Sequence, residues 1–126
     1  MEANYFDKGK LYINGESIDI NNLTWNEHPT DKGVFFKHII SGASTNKLFS
    51  YHLVKVNPDC EIDIHNHIGK TELHEIIGGS GQCMIEQEKI DYHNGVIGFI
   101  PEDKYHSVRA GKEGLFILAK FFPALM

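Results

Sequence analysis

The chain has 126 residues, of which 41% are hydrophobic and 23% charged, and its formal net charge is −5 with neutral histidines. This length and composition favour one ordinary globular domain over residues 1–126. The negative charge argues against nucleic acid as a partner, no apolar run reaches the roughly 18 residues of a membrane span, and the N-terminus lacks signal-peptide features, so we expect a cytoplasmic protein that does not bind membranes.

The first half of the chain is predicted to form short strands separated by turns, the pattern of an all-β sandwich or barrel. Asn14-Gly15 predicts a tight two-residue turn inside a hairpin over residues 10–20. The polar residues 21–32 predict a loop. Further strands are expected at residues 34–40, 48–56 and 61–67, with turns at 57–59 and 69–70.

The second half continues in the same manner. We expect strands at residues 72–77, 83–85, 89–92, 96–100, 106–109 and 115–122, with the glycine-rich residues 78–81 ending the first of them. Residues 114–126 are apolar without alternation, which predicts a strand buried on both faces. Packing inside one subunit would bury it, and so would a contact between subunits at a barrel edge. We expect a homodimer.

Two histidines, His65 and His67, stand two positions apart in a predicted strand. Alternate residues of a strand face the same side, so both imidazoles would be directed at one point. Glu72 follows after the predicted turn at residues 69–70, which would bring its carboxylate back beside the histidines. Two imidazoles and a carboxylate are a ligand set suited to divalent first-row metals. A closed barrel would add His106 from a distant strand.

These residues resemble the first sequence motif of the cupin superfamily, which has the form G-x5-HxH-x3,4-E-x6-G. The segment His65-x-His67-x4-Glu72-x6-Gly79 has the motif's spacing. Asp59 stands where the motif opens with glycine. Aspartate tolerates the turn conformations that glycine adopts, so we expect this exchange to leave the ligands in place.

The second cupin motif, G-x5-PxG-x2-H-x3-N, is similar to the segment Gly95-x5-Pro101-x-Asp103-x2-His106. Asp103 replaces the motif's second glycine, and Ala110 replaces its terminal asparagine. The resemblance covers about residues 48–120, and all four positions at which the family places metal ligands are filled.

The resemblance implies an all-β fold, a cupin-type jelly-roll barrel in a single domain. It also implies one divalent metal ion, which would be Fe, Mn, Ni, Zn or Cu. The metal ligands would be His65, His67, Glu72 and His106.

His74 is expected to line the pocket because it shares a strand face with Glu72. It would act as a general acid/base near the metal, orient Glu72, or line the pocket without a chemical role. We take His74 as the candidate catalytic residue.

The other polar side chains near the motif are given simpler roles. Glu61 and Asp63 share the face of the ligand pair and are expected at the rim, in solvent. Of Tyr51 and His52, only one can point inward. The histidines without partners at chelating distance in the sequence are expected at the surface or in turns: His28, His38 and His93.

Three functions follow from this interpretation. The first is a metal-dependent enzyme of dioxygenase, isomerase or lyase type that acts on a small organic substrate. The alternative is a protein that binds or senses a small molecule, such as a sugar or another metabolite, without catalysis. A storage role is the third, and a complete ligand set argues against it.

Overall fold

The computed structural model describes residues 5–126. A separate two-stranded sheet opens the fold, formed by β1 (Lys10–Ile13) and β2 (Glu16–Asp19) in antiparallel pairing. Asn14 and Gly15, which connect them, have φ angles of 49° and 80°. Both angles are those of a type I′ turn, so the predicted hairpin is confirmed.

The remaining strands form one larger sheet. They are β3 (Asn26–Glu27), β4 (Val34–Ile40), β5 (Ser50–Val56), β6 (Glu61–His65), β7 (Thr71–Ile85), β8 (Glu88–His93), β9 (Ile97–Ile100) and β10 (His106–Phe122). Helix occurs among residues 5–126 only as single three-residue turns, so the prediction of an all-β fold is confirmed. Within this range, no helix has the length and apolar character needed to cross a membrane.

The strands pair in the order β3-β4-β5-β10-β7-β8, with β6 added to β10 and β9 added to β7. The two longest strands therefore have different neighbours at their two ends, as expected of a jelly roll. Side chains from β5, β7, β8 and β10 meet in one core, which contains Val54, Cys83, Tyr92 and Val108. The pairing does not return from β8 to β3, so the described strands do not form the closed barrel that we expected.

The glycine-rich residues 78–81 do not end a strand, contrary to prediction. β7 continues through them, because glycine lets it pass very close to β10. Gly79 has a φ of 77°, and a Cβ atom there would overlap the carbonyl oxygen of Gly114. The predicted strands 106–109 and 115–122 are likewise one strand, whose pairing with β7 shifts register between Ala110 and Leu115.

The C-terminal strand is buried on both faces, as predicted. Ile117 and Ala119 pack into the core that includes Val54, whereas Phe116 and Leu118 pack into a second core with Ile20. Packing inside one chain is therefore sufficient to bury this segment. The homodimer stays a prediction.

Candidate metal centre

The four predicted ligands come together at one point. His65, His67, Glu72 and His106 each offer a ligand atom, and these atoms all lie within 4.8 Å of one another. His65 ends β6 and pairs directly with His106 at the start of β10. His67 lies just beyond the end of β6, so strand alternation alone does not align the two histidines. Their rings still meet edge to face, with centroids 4.9 Å apart.

Backbone carbonyl groups orient two of the imidazoles. His65 Nδ1 lies 2.7 Å from the carbonyl oxygen of Asp63, and His106 Nδ1 lies 3.1 Å from that of Lys104. A carbonyl oxygen only accepts hydrogen bonds, so each Nδ1 carries the proton and donates it. In the neutral ring Nε2 then holds a lone pair, which is the form that binds a metal ion.

The carboxylate of Glu72 contacts the other members of the cluster through separate oxygens. Oε1 lies 3.0 Å from His106 Nε2 and 3.7 Å from His67 Nε2, whereas Oε2 lies 2.7 Å from His74 Nε2. Glu72 Oε1 and His106 Nε2 are both buried, and neither has a hydrogen-bond partner in the described chain. With the His106 proton on Nδ1, these two atoms are acceptors that face each other. A cation between them removes the repulsion, so the donor set fits a divalent metal ion.

Protonation of the ligands agrees with this interpretation. Burial lowers the pKa of His65 and of His67, which keeps both imidazoles neutral near pH 7. Burial would raise the pKa of Glu72, but the neighbouring His74 and His106 outweigh it and hold the pKa below its usual value. Two neutral imidazoles and an ionised carboxylate offer lone pairs to a cation.

His74 lies directly behind Glu72 and is almost fully buried, with 3% of its surface exposed. Its Nε2 bonds to Glu72 at 2.7 Å and its Nδ1 contacts the hydroxyl of Tyr92 at 2.9 Å. Burial alone would lower the pKa of His74, but the Glu72 carboxylate raises it to about 9. Both ring nitrogens are thus engaged, which favours a role in orienting Glu72. The catalytic role stays a prediction.

The sequence analysis did not identify Tyr92. This residue lies on β8, and its hydroxyl reaches His74 across the sheet because Gly98 stands opposite His74 on β9. A Cβ atom on Gly98 would overlap the Tyr92 hydroxyl. The glycine therefore provides the space for the Tyr92–His74 contact, and only the pairing of three strands reveals it.

Both aspartates that replace motif glycines adopt the glycine-like conformation. Asp59 has a φ of 62° and Asp103 a φ of 69°. The expectation that aspartate would preserve these turns is confirmed. Asp103 adds a contact that glycine lacks, because its Oδ1 accepts a hydrogen bond of 2.8 Å from the backbone N–H of Gly69.

A cavity of about 210 Å³ opens beside the ligands. Its walls are largely apolar and include Phe36, Val54, Ile62, Val108, Ile117 and Phe121. No lysine or arginine of the described chain lines it, and Glu72 is the only carboxylate that does so. The cavity is therefore suited to a small molecule with a mainly apolar skeleton.

Three further histidines line the same cavity, namely His28, His38 and His52. His52 is the inward residue of its pair with Tyr51, and it is 1% exposed. His28 is a turn residue as predicted, since its Nδ1 accepts hydrogen bonds from the backbone N–H groups of Thr30 and Asp31. The prediction that His38 is a surface or turn residue is wrong, because His38 lies within β4. His38 pairs directly with His52 in the β4–β5 register and shares its face, which the sequence alone did not reveal.

The expectation that Glu61 and Asp63 share the face of His65 is wrong, because the β6–β10 register shifts between His65 and Ile62 and places Ile62 on the cavity side with His65. Their expected exposure to solvent is confirmed. Glu61, Asp63 and His93 are exposed, as expected for rim and surface residues. Tyr105, which precedes the ligand His106, is 53% exposed.

Comparison with known proteins gives no family model and no curated protein sequence that matches the chain. Solved structures do match it. A predicted oxalate decarboxylase from Thermotoga maritima superposes with a TM-score of 0.76 at 20% identity, over 82% of this chain and 95% of that one. An RmlC-like cupin from Shewanella frigidimarina superposes with a TM-score of 0.72 at 13% identity, over 83% of this chain and 87% of that one. Ectoine synthase from P. lautus superposes with a TM-score of 0.68 at 17% identity, over 75% of this chain and 67% of that one.

Proposed function

We propose that this protein, which has the cupin fold that its two motifs predict, is an enzyme that uses one divalent metal ion to convert a small organic molecule. One observation carries the proposal. Glu72 Oε1 and His106 Nε2 lie 3.0 Å apart and are buried, and with the His106 proton on Nδ1 they are two facing acceptors that a bound cation would satisfy. The solved structures of similar fold include a predicted oxalate decarboxylase and an ectoine synthase.

The four ligand residues and His74 have different roles in this proposal. His65, His67, Glu72 and His106 hold the ion, which when bound would polarise an oxygen of the substrate as a Lewis acid. His74 fixes the Glu72 carboxylate through Oε2 and leaves Oε1 directed to the ion.

A buried chain of contacts runs from Glu72 through His74 to Tyr92. It holds a proton at Glu72 Oε2, so an acid/base role of His74 would act through this ligand and not by direct contact with the substrate. Phe121, opposite Glu72 in the β10–β7 register, helps the other apolar walls exclude water from the cavity. The proposal includes three reaction types, namely oxidative cleavage, isomerisation and lyase reactions. In each of them the ion would polarise an oxygen of the substrate.

A binding or sensing protein without catalysis is the second candidate. One observation favours it: both ring nitrogens of His74 are engaged, by Glu72 and by Tyr92, so that neither is free to contact a substrate. Such a protein would use the metal ion only to hold its ligand.

The metal site is tested by elemental analysis of protein purified without a polyhistidine tag. We expect close to one divalent ion per chain, a loss of that ion in His106→Ala, and its retention in His93→Ala, which changes an exposed histidine. A wild-type protein that neither retains nor takes up a divalent ion would overturn the proposal.

Catalysis and binding are then separated with the metal-loaded protein and a mixture of small metabolites. Mass spectrometry follows consumption of each compound, with His106→Ala as the reference. Metal-dependent consumption supports the enzyme. A compound that raises the melting temperature of the loaded protein and is recovered unchanged supports the binding protein.

A further inference from the structure

A second polar group lies in the wall of the cavity, formed by His38, His52 and Ser50. His38 Nδ1 and His52 Nδ1 are 2.8 Å apart, and His52 Nε2 lies 2.8 Å from the hydroxyl of Ser50. None of these residues belongs to the ligand cluster. They stand on the neighbouring strands β4 and β5, and His52 and Ser50 are buried.

The contact between the His38 and His52 imidazoles limits which of their ring nitrogens can carry a proton. Burial lowers the pKa of His38 and, more strongly, that of His52, to about 4, so both rings are neutral near pH 7. Two neutral rings whose Nδ1 atoms face each other share one N–H between them, because one must donate and the other accept. The Ser50 oxygen accepts a hydrogen bond from the N–H of Leu125, and its hydroxyl either donates to His52 or accepts from it.

Two tautomeric arrangements therefore satisfy this network. In one of them His38 Nε2 carries a proton, and in the other it carries a lone pair. His38 lines the cavity, and its Nε2 has no hydrogen-bond partner in the part of the chain that the structure describes. This nitrogen can donate to a ligand or accept from it, as a hydroxyl or a carbonyl group requires.

The network and the metal ligands are separated by one aromatic ring. Phe121 packs edge to face against His52, with centroids 5.6 Å apart, and against His67, with centroids 4.9 Å apart. The surface between the two polar groups is thus apolar. Because no lysine or arginine lines the cavity, a second negative charge on a ligand would lack a partner there.

We propose, resting on the function proposed above, that His38 determines substrate specificity. The substrate places one oxygen at the metal ligands and a neutral hydroxyl or carbonyl group at His38 Nε2, with an apolar carbon skeleton along Phe121. This chemistry selects against dicarboxylates.

The test uses zinc-loaded protein and calorimetric titration with three probes of equal chain length, namely hexanoate, 6-hydroxyhexanoate and adipate. We expect 6-hydroxyhexanoate to bind about three- to tenfold more tightly than hexanoate, the effect of one added hydrogen bond. Adipate is expected to bind more weakly than hexanoate, because its second carboxylate is desolvated without a cation.

Substitutions of His38 test whether this residue causes the preference for the hydroxyl probe. His38→Phe should bind hexanoate within about twofold of wild type, since the ring beside the carbon chain is kept, and should lose the preference for the hydroxyl probe. It also removes the partner of His52 Nδ1, so its folding is checked by its melting temperature. His38→Gln, which keeps a donor and an acceptor, should retain part of it. His93→Phe, a change of an exposed histidine outside this cavity, should retain all of it.

A measurement on wild-type protein does not depend on how the variants fold. The imidazole nitrogen resonances of His38 should move with 6-hydroxyhexanoate and stay in place with hexanoate. The inference is overturned if wild type shows no hydroxyl preference, if the preference persists in His38→Phe, if adipate binds most tightly, or if zinc-loaded protein binds no probe. Failure to bind zinc would instead refute the proposed function.

Discussion

The carboxylate of Asp103 accepts a hydrogen bond from the backbone N–H of Gly69 over 2.8 Å, which ties the second motif to the turn between two metal ligands. The backbone N–H of Asp103 also donates to the carbonyl oxygen of His67, at 3.2 Å. Glycine would provide the same backbone conformation but not the carboxylate. The exchange from the family pattern therefore adds a contact that positions His67.

Replacing Asp103 by glycine tests this positioning. Glycine adopts the φ of 69° freely, so the fold should be kept, but the His67 turn should loosen and the affinity for zinc should fall about tenfold. Competition with a chelator measures the affinity. Asp59→Gly is the matched control, since Asp59 has a similar φ of 62° and no hydrogen bond to that turn in the described chain. Equal affinities in the two variants would contradict the prediction.

His74→Ala should weaken zinc binding by about ten- to a hundredfold, because Glu72 loses the partner that orients it. The same competition assay applies, with His93→Ala as the control for removing an exposed histidine. Unchanged zinc affinity together with lost turnover would speak against the orienting role and leave the acid/base role.

Tyr92→Phe should destabilise the metal-free protein by about 1–3 kcal/mol, because it leaves His74 Nδ1 buried without a partner. Urea denaturation measures the free energy of unfolding. Tyr105→Phe removes the same hydroxyl from a side chain that is 53% exposed and should change stability little. A similar result for both variants would mean that the Tyr92–His74 contact adds nothing to stability.

The metal-free protein should lose stability as the pH falls from 6.5 to 4, in part through His52. Its folded-state pKa is about 4 because of burial, against an ordinary value of 6.5, so in this window the unfolded chain binds a proton that the folded chain does not. Stability therefore rises with pH, and at pH 5 the loss due to His52 should be about 2 kcal/mol.

The variant His52→Gln isolates this contribution. The difference in unfolding free energy between pH 7 and pH 5 should be smaller in His52→Gln than in wild type, and unchanged in His93→Gln. An identical pH dependence in wild type and His52→Gln would show that His52 is not held neutral by the fold.

The ligands were predictable from the sequence because they are few, polar and fixed in spacing. His65, His67, Glu72 and His106 occupy motif positions, and aspartate at 59 and 103 tolerates the turns. The continuity of β7 and β10 was not predictable, because glycine both ends strands and permits close strand crossings. Gly79 permits a close crossing, and this is visible only from the position of Gly114 on the partner strand β10.

The remainder of the site depends on pairing between strands. His38 faces the cavity because it lies opposite His52, and Tyr92 reaches His74 because Gly98 makes room. Single-strand patterns carry no information on such registers.

Anomalous diffraction from crystals of the zinc-loaded protein tests the central claim most directly. We predict one strong zinc peak per chain, within bonding distance of the Nε2 atoms of His65 and His106, of Glu72 Oε1 and of the His67 ring. A zinc peak only at other residues, or none at these four, would contradict the account.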